Sequence, residues 1–289
     1  MPISLFSPLA DISVFRSSPP KSRWNVIILF LLFGLISCGG LGRKKGEPIV
    51  LDQPPPPPAV GQAYFYQHTG PQPFSDGSVD VTGGRIVAVT RQIQEKKPIL
   101  WAFEEHFEKS EGVQIGFYDE KYRLHRQILR APGGEIEVLY NSPYDERFLN
   151  LKADAEKTIT VNQQLINAAD GANYGNVNMT VKVHRERDER IISPAGAFLC
   201  RHFNARIQLK AHIAGEQTDF AATVNSYWCD LIGWFVKEEQ VFDPIVKDGQ
   251  IIRPPYKTES ILVSFEPTNY QYHHPVPEEK KSRKKKQDE

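Results

Sequence analysis

Cysteine is scarce in this sequence. Cys38, Cys200 and Cys229 are the only three in 289 residues, and no C-x-x-C spacing occurs among them, so a disulfide-stapled miniprotein and a paired-cysteine zinc site are both excluded. Net charge is missing as well. The 35 basic residues balance 35 acidic ones, so no global field draws in a polyanion and no nucleic-acid partner is expected. There is no G-x-S-x-G, no P-loop and no H-E-x-x-H. Asp170 to Asn178 (DGANYGNVN) has the outline of a calcium loop, but Ala172 and Tyr174 fall where ligand oxygens are needed. The eight histidines are scattered apart from His273-His274, which read as surface imidazoles. No catalytic residue, metal or cofactor is therefore expected, although missing motifs lower the odds of a novel site without removing it. Helical periodicity is weak and there is no internal repeat.

Long apolar runs are confined to the N-terminus. Arg16, Lys21 and Arg23 precede an uncharged stretch, Val26 to Ile36 (VIILFLLFGLI), which leads into Ser37-Cys38-Gly39-Gly40. A basic segment, an apolar run and then small residues is the layout of a secretion signal. Leu35-Ile36-Ser37-Cys38 resembles the lipobox of bacterial lipoproteins. That resemblance implies a diacylglycerol on the Cys38 thiol, cleavage ahead of it, and residues 1–37 as signal peptide. Gly39 stands where an Asp would favour the inner membrane, so the outer membrane is the expected address. The alternative is an uncleaved anchor over Trp24 to Gly42, which is charge-free and about long enough to span a bilayer. Its glycines make a poor helix half. Arg43-Lys44-Lys45 on the exported side speaks for that alternative.

Residues 38–60 read as a lipidated Cys and a tether. Five consecutive prolines, Pro54 to Pro58, favour extended polyproline II, a semi-rigid spacer. Residues 61–275 form the folded domain. Their main signal is alternation with period two. Val113, Ile115 and Phe117 alternate with Gln114 and Gly116; Val177, Met179, Val181 and Val183 alternate with polar residues; Phe203, Ala205, Ile207 and Leu209 do the same, as do Ile261, Val263 and Phe265. Such strands belong to antiparallel sheets with one wetted face. The expected fold is mainly β: a curved antiparallel sheet or half-barrel of about ten strands with little helix. Asn162 to Ala169 is the best helix candidate. His184 to Arg190 reads as a solvated tip between strands. Residues 276–289 carry Lys280-Lys281-Ser282-Arg283-Lys284-Lys285-Lys286 and no apolar residue after Val276. They should form a disordered basic tail that could touch an anionic surface.

Two segments add a resemblance. Ser193-Pro194-Ala195-Gly196-Ala197-Phe198-Leu199-Cys200 and Tyr227-Trp228-Cys229-Asp230-Leu231-Ile232-Gly233-Trp234-Phe235-Val236-Lys237-Glu238 resemble elements of a group of periplasmic and lipid-anchored proteins, with Thr258 to Leu262 as the final strand. The resemblance covers about Val177 to Phe265 and implies a curved sheet similar to that of periplasmic lipoprotein carriers. Cys229 and Trp234 depart from the group's pattern. The resemblance implies nothing about catalysis.

Export places the domain in an oxidising compartment, and lipidation of Cys38 leaves two thiols, so a Cys200–Cys229 disulfide is expected. Functionally, the sequence points to a lipid-anchored envelope protein with a binding or structural role and no catalysis. One form is a carrier or sensor whose apolar face, with Trp101, Phe103, Phe117, Phe203 and Trp228, holds an apolar ligand. Against it, the connection Tyr140 to Lys157 could fold over that face and complete an ordinary core. The second form is an adhesion or protein-interaction lipoprotein. A hydrolase is the alternative from another class. A buried apolar channel would favour the carrier, a filled core with a polar surface the interaction protein, and a cleft of converging Asp, Glu and His the hydrolase.

Overall fold

The computed structural model describes residues 57–72, 82–94, 98–131, 133–145, 148, 150–213, 215–247 and 250–270. Among these, every regular element is a strand: β1 (Ala63–Thr69), β2 (Thr82–Ile93), β3 (Leu100–Phe107), β4 (Val113–Tyr118), β5 (Leu124–Ala131), β6 (Gly134–Tyr144), β7 (Glu156–Asn167), β8 (Asn173–Arg185), β9 (Glu189–Ser193), β10 (Gly196–Ile213), β11 (Glu216–Cys229), β12 (Trp234–Phe242), β13 (Ile245–Lys247), β14 (Gln250–Arg253) and β15 (Tyr256–Glu266). The expected helix at Asn162 to Ala169 is not formed, and its residues through Asn167 lie in β7.

The pairing closes on itself. Consecutive strands β1 to β8 are antiparallel neighbours, β8 pairs with β10, and the order continues β10-β11-β12-β15 before β15 returns to β1. The result is a closed antiparallel barrel of twelve strands, where the sequence suggested about ten in a half-barrel. Closure pairs the two terminal edges that a half-barrel would leave, with a local gap remaining between β6 and β7. β9 pairs only with the start of β10, and this hairpin reaches β12 and β15, delivering Ile191 and Phe198 to the core. β13 and β14 form a separate hairpin.

Because β15 pairs with β1, both ends of the described chain meet. Ala63 lies opposite Glu266, the Tyr270 amide donates to the Gly61 carbonyl at 2.9 Å, and the Phe65 and Tyr270 rings meet edge to face at 5.4 Å.

Alternation sends apolar side chains inward. Val177, Met179, Val181 and Val183 of β8 and Phe203, Ala205, Ile207 and Leu209 of β10 are all buried in one cluster, each large side chain contributing roughly 1.5–3 kcal/mol. Two strands depart from the expectation. On β4 the inward positions are Gln114, Gly116 and Tyr118, whereas Ile115 and Phe117 form a separate cluster with Ala102 on the opposite face. The reason is steric: Tyr118 lies back over Gly116, where an added Cβ would meet the ring at 2.5 Å. On β15, Val263 and Phe265 remain exposed, while Ser260 and Leu262 are buried.

The connection after β6 supplies the expected cover. Phe148 is buried against Tyr144, with ring centroids 6.3 Å apart, and Leu151 packs on the core. The tip after β8 is solvated at Arg187 and Asp188, but Arg185 is buried, with its guanidinium 5.3 Å from the Phe203 ring and bonded to Asp188.

Candidate binding site

Two of the aromatic residues expected to line an apolar groove, Phe103 and Trp228, pack against other rings of the core. Phe103 stacks on Trp234 at 4.7 Å, and Tyr64 stacks on the same indole at 5.6 Å. Trp228 meets Phe235 at 5.2 Å and Tyr122 at 5.6 Å, both edge to face. The Trp228 indole N–H donates to Asp230 at 2.8 Å. Tyr64 and Tyr66 donate their hydroxyls to the carbonyls of Ile232 and Phe235. Trp101 and Phe203 belong to the same core. Phe117 lies on the outer face beneath the Arg126 guanidinium, 4.2 Å from its ring, so it cannot line an interior groove.

Below the aromatic cluster the interior turns polar. Arg85 is wholly buried and donates to Glu105, to Glu238 at 3.0 Å and to Ser260 at 3.1 Å. Its guanidinium also sits 4.9 Å from the Tyr66 ring. Burial pushes the Glu105 carboxyl above the usual carboxylate range against the pull of Arg85. His68 lies next to this group, buried, its ring 5.1 Å from Phe107 and its Nε2–H donating to the Pro71 carbonyl at 3.3 Å. Burial and then Arg85 lower its pKa to about 3, so it is neutral. None of these groups faces solvent, which makes them a structural tie between strands.

Cys200 and Cys229 continue the β10–β11 register one step past the Arg201–Trp228 pair, so they face each other across adjacent strands. Both are buried free thiols, and the expected disulfide is not formed in the structure. The hydrogen bond between the thiols, with burial, raises the Cys200 pKa, and that same bond lowers the Cys229 pKa.

The outer face carries ion pairs beside the apolar cluster of Ala102, Ile115 and Phe117. Lys182 pairs with Glu156 at 2.9 Å, Lys237 and Lys257 both reach Glu239 at 3.1 Å, and Arg206 pairs with Asp243.

An opening interrupts the wall between β6 and β7. β6 and β7 pair only from Ile136–Asn167 to Tyr140–Gln163. β6 then swings back toward β5, where Tyr144 meets Leu124. The fork holds a pocket of about 570 Å³. Six amides line it: Asn141, Asn162, Gln163, Gln164, Asn176 and Asn178, together with Tyr140, Leu139 and Val177. Asn178 donates to Asn162 Oδ1 at 2.6 Å, and the Asn162 backbone amide donates to Asn141 Oδ1 at 3.2 Å. Tyr140 donates its hydroxyl to Gln127 at 2.6 Å. Gln163 is 3% exposed, and neither of its amide atoms has a hydrogen-bond partner. Sequence reasoning missed this site, because its residues come from three strands whose pairing is not written locally.

Cys38, the tether up to Gln53 and beyond to Pro56, His273-His274 and the 280–286 basic run lie outside the described residues. Among the described residues no group of three His, Cys, Asp or Glu side chains is placed to hold a metal ion.

No protein-family model matches the chain, and no curated protein matches it. Two solved structures show a distant likeness to the chain. An exported-protein candidate with a YmcC-like fold from Bacteroides fragilis is 12% identical with a TM-score of 0.36, covering 74% of this chain and 99% of its own. A lipoprotein candidate from Parabacteroides distasonis is 12% identical with a TM-score of 0.35, covering 75% of this chain and 100% of its own. At these values neither likeness bears on function.

Proposed function

We propose that this chain is a lipid-anchored envelope protein that acts by binding at the outer surface of its barrel, without catalysis. The observation that carries this reading is the division of the barrel wall: a tightly clustered apolar core rich in aromatic side chains inside, and an open amide-lined pocket outside. That division favours an interaction role over an apolar-ligand carrier. Among the described residues, the buried carboxylates and imidazole form interior ties and not an accessible cleft, which weighs against a hydrolase.

The anchor reading rests on Leu35-Ile36-Ser37-Cys38. Gly39, in place of Asp, supports the outer membrane. The meeting of Gly61 and Tyr270 starts the N-terminal tether and the C-terminal tail from one end of the barrel. This supports an auxiliary contact between the 280–286 lysine run and anionic headgroups, worth about 1 kcal/mol per basic residue near such a surface. The test is expression in a bacterium, followed by membrane fractionation and mass spectrometry. The wild-type chain should lack residues 1–37 and carry a diacylglycerol on Cys38, and Cys38→Ala should leave the membrane fraction, because a basic tail cannot replace acyl chains. A Cys38→Ala chain that stays membrane-bound with residues 24–42 intact would establish the uncleaved anchor instead.

A further inference from the structure

We propose that the fork between β6 and β7 is a binding site for a neutral saccharide. The pocket is bordered by three consecutive residues from each of three neighbouring strands, so inward positions, Tyr140, Gln163 and Val177, and outward ones, Asn162, Gln164 and Asn178, all lie along it. No charged side chain lines it, so it offers a phosphate or carboxylate no counter-charge. What it offers is amides, each pairing a carbonyl acceptor with an NH₂ donor. That combination matches vicinal hydroxyls, which donate and accept in turn. A pocket of about 570 Å³ lies in the range of small-ligand sites.

Gln163 is the decisive residue. Its amide is nine-tenths buried and has neither its donor nor its acceptor paired. A buried amide left so costs on the order of 1–3 kcal/mol, and packing alone would favour Leu at an inward strand position between Val161 and Leu165. Asn141 and Asn162 already span the fork through the Asn162 amide, and Asn178 braces Asn162, so the rim is held in place before a ligand arrives. The Tyr140 ring, partly buried and stacked near Tyr144 at 6.3 Å, supplies an apolar wall for the C–H face of a pyranose.

The wall also opens an edge beside the pocket. Ala168 donates to the Glu135 carbonyl and Asn162 to the Asn141 side chain, so even-numbered positions of β7 direct their backbone groups toward β6. Beyond Asn162 that side has no paired strand among the described residues, and Thr158 and Thr160 present their backbone there. An extended peptide adding to this edge is the competing occupant.

This proposal deepens the binding reading but does not depend on the anchor. The full-length lipidated protein, in a detergent without a sugar headgroup, is titrated by saturation-transfer NMR and calorimetry. The probes are glucose, galactose, rhamnose and N-acetylglucosamine, their neutral oligosaccharides, glucose 1-phosphate, galacturonate, and an unstructured Thr/Val-rich hexapeptide. Saturable binding of a neutral sugar is expected, unchanged between about 50 and 500 mM salt because no ion pair forms, with the two anionic sugars weaker. Gln163→Leu should weaken binding about tenfold while keeping or raising the melting temperature, and Asn178→Ala should weaken it as well. Cys38→Ala should bind the sugar as wild type does, which separates failure of this site from failure of the anchor. No saturable sugar binding, an unaffected Gln163→Leu variant, equal or tighter binding of the anionic sugars, or binding of the hexapeptide alone would each overturn the proposal. The first result together with a more stable Gln163→Leu protein would identify the pocket as a water site only.

Discussion

Arg85 Nη1 lies 3.0 Å from Glu238 Oε2, and neither side chain exposes any surface, although β1 and β15 separate their strands. The pair therefore fastens the seam where the first and last strands of the ring meet, with Glu105 of β3 closing the cluster from the other side. A single guanidinium serves two carboxylates there.

Removing that cation should be costly. Arg85→Met leaves Glu105 and Glu238 buried together without a positive partner, at an expected cost of about 3–5 kcal/mol. Adding Glu105→Gln and Glu238→Gln to Arg85→Met should recover a substantial part of the loss, because no buried charge then remains. Urea unfolding of the three proteins checks this. Equal stabilities would show that the cluster does not secure the seam.

The cysteines make a prediction that depends on compartment. Residues directly opposite each other in an antiparallel pair have Cα atoms about 4.5–5.5 Å apart, within the span of a disulfide. Cys200 and Cys229 occupy such positions and are free thiols in the structure. Protein recovered from an oxidising compartment, unfolded without reductant, should show neither thiol free. Protein made in a reducing cytoplasm should show both, with stability lower by about 3 kcal/mol for a loop of this order. Two titratable thiols in the exported protein would remove the bridge.

His68 sets the pH response. Its folded pKa of about 3 lies below the usual imidazole value of about 6.5, so the unfolded chain binds the proton more tightly. The stability tied to this residue is complete above about pH 6.5 and is lost as pH falls toward 3, at a slope approaching 1.4 kcal/mol per unit. His68→Asn removes the titrating group and should flatten the pH 6 to 4 dependence by about one proton. Chemical denaturation at pH 7, 6, 5 and 4 measures it, and an unchanged slope would assign acid sensitivity to the carboxylates.

How far these features could be read from sequence depends on how local their cause is. The strands of β8 and β10 were legible because every inward position from Val177 to Val183 and from Phe203 to Leu209 is apolar. Asn162 to Ala169 is the best candidate for a short helix in the sequence, yet it runs into β7, where a buried Gln163 breaks the apolar alternation between Val161 and Leu165. The residue that hid the strand is the one that marks the pocket. On β4 the apolar set was visible, but its face was inverted: Gly116 admits Tyr118 inside, and Arg126 covers Phe117 outside. Ring closure was not legible at all, because Ala63 and Glu266 lie at opposite ends of the domain and nothing near either residue announces the other.

That last pairing governs the order of events in time. β1 needs β15 on one side, so the wall stays unfinished until the final strand has left the ribosome. Contacts between such distant segments form slowly, since the entropy of closing the intervening chain is lost before any contact offsets it. Hairpins such as β7–β8 can form early, but none of them shuts the ring. The topology therefore acts as a timer: the ring cannot shut before the whole domain has been made.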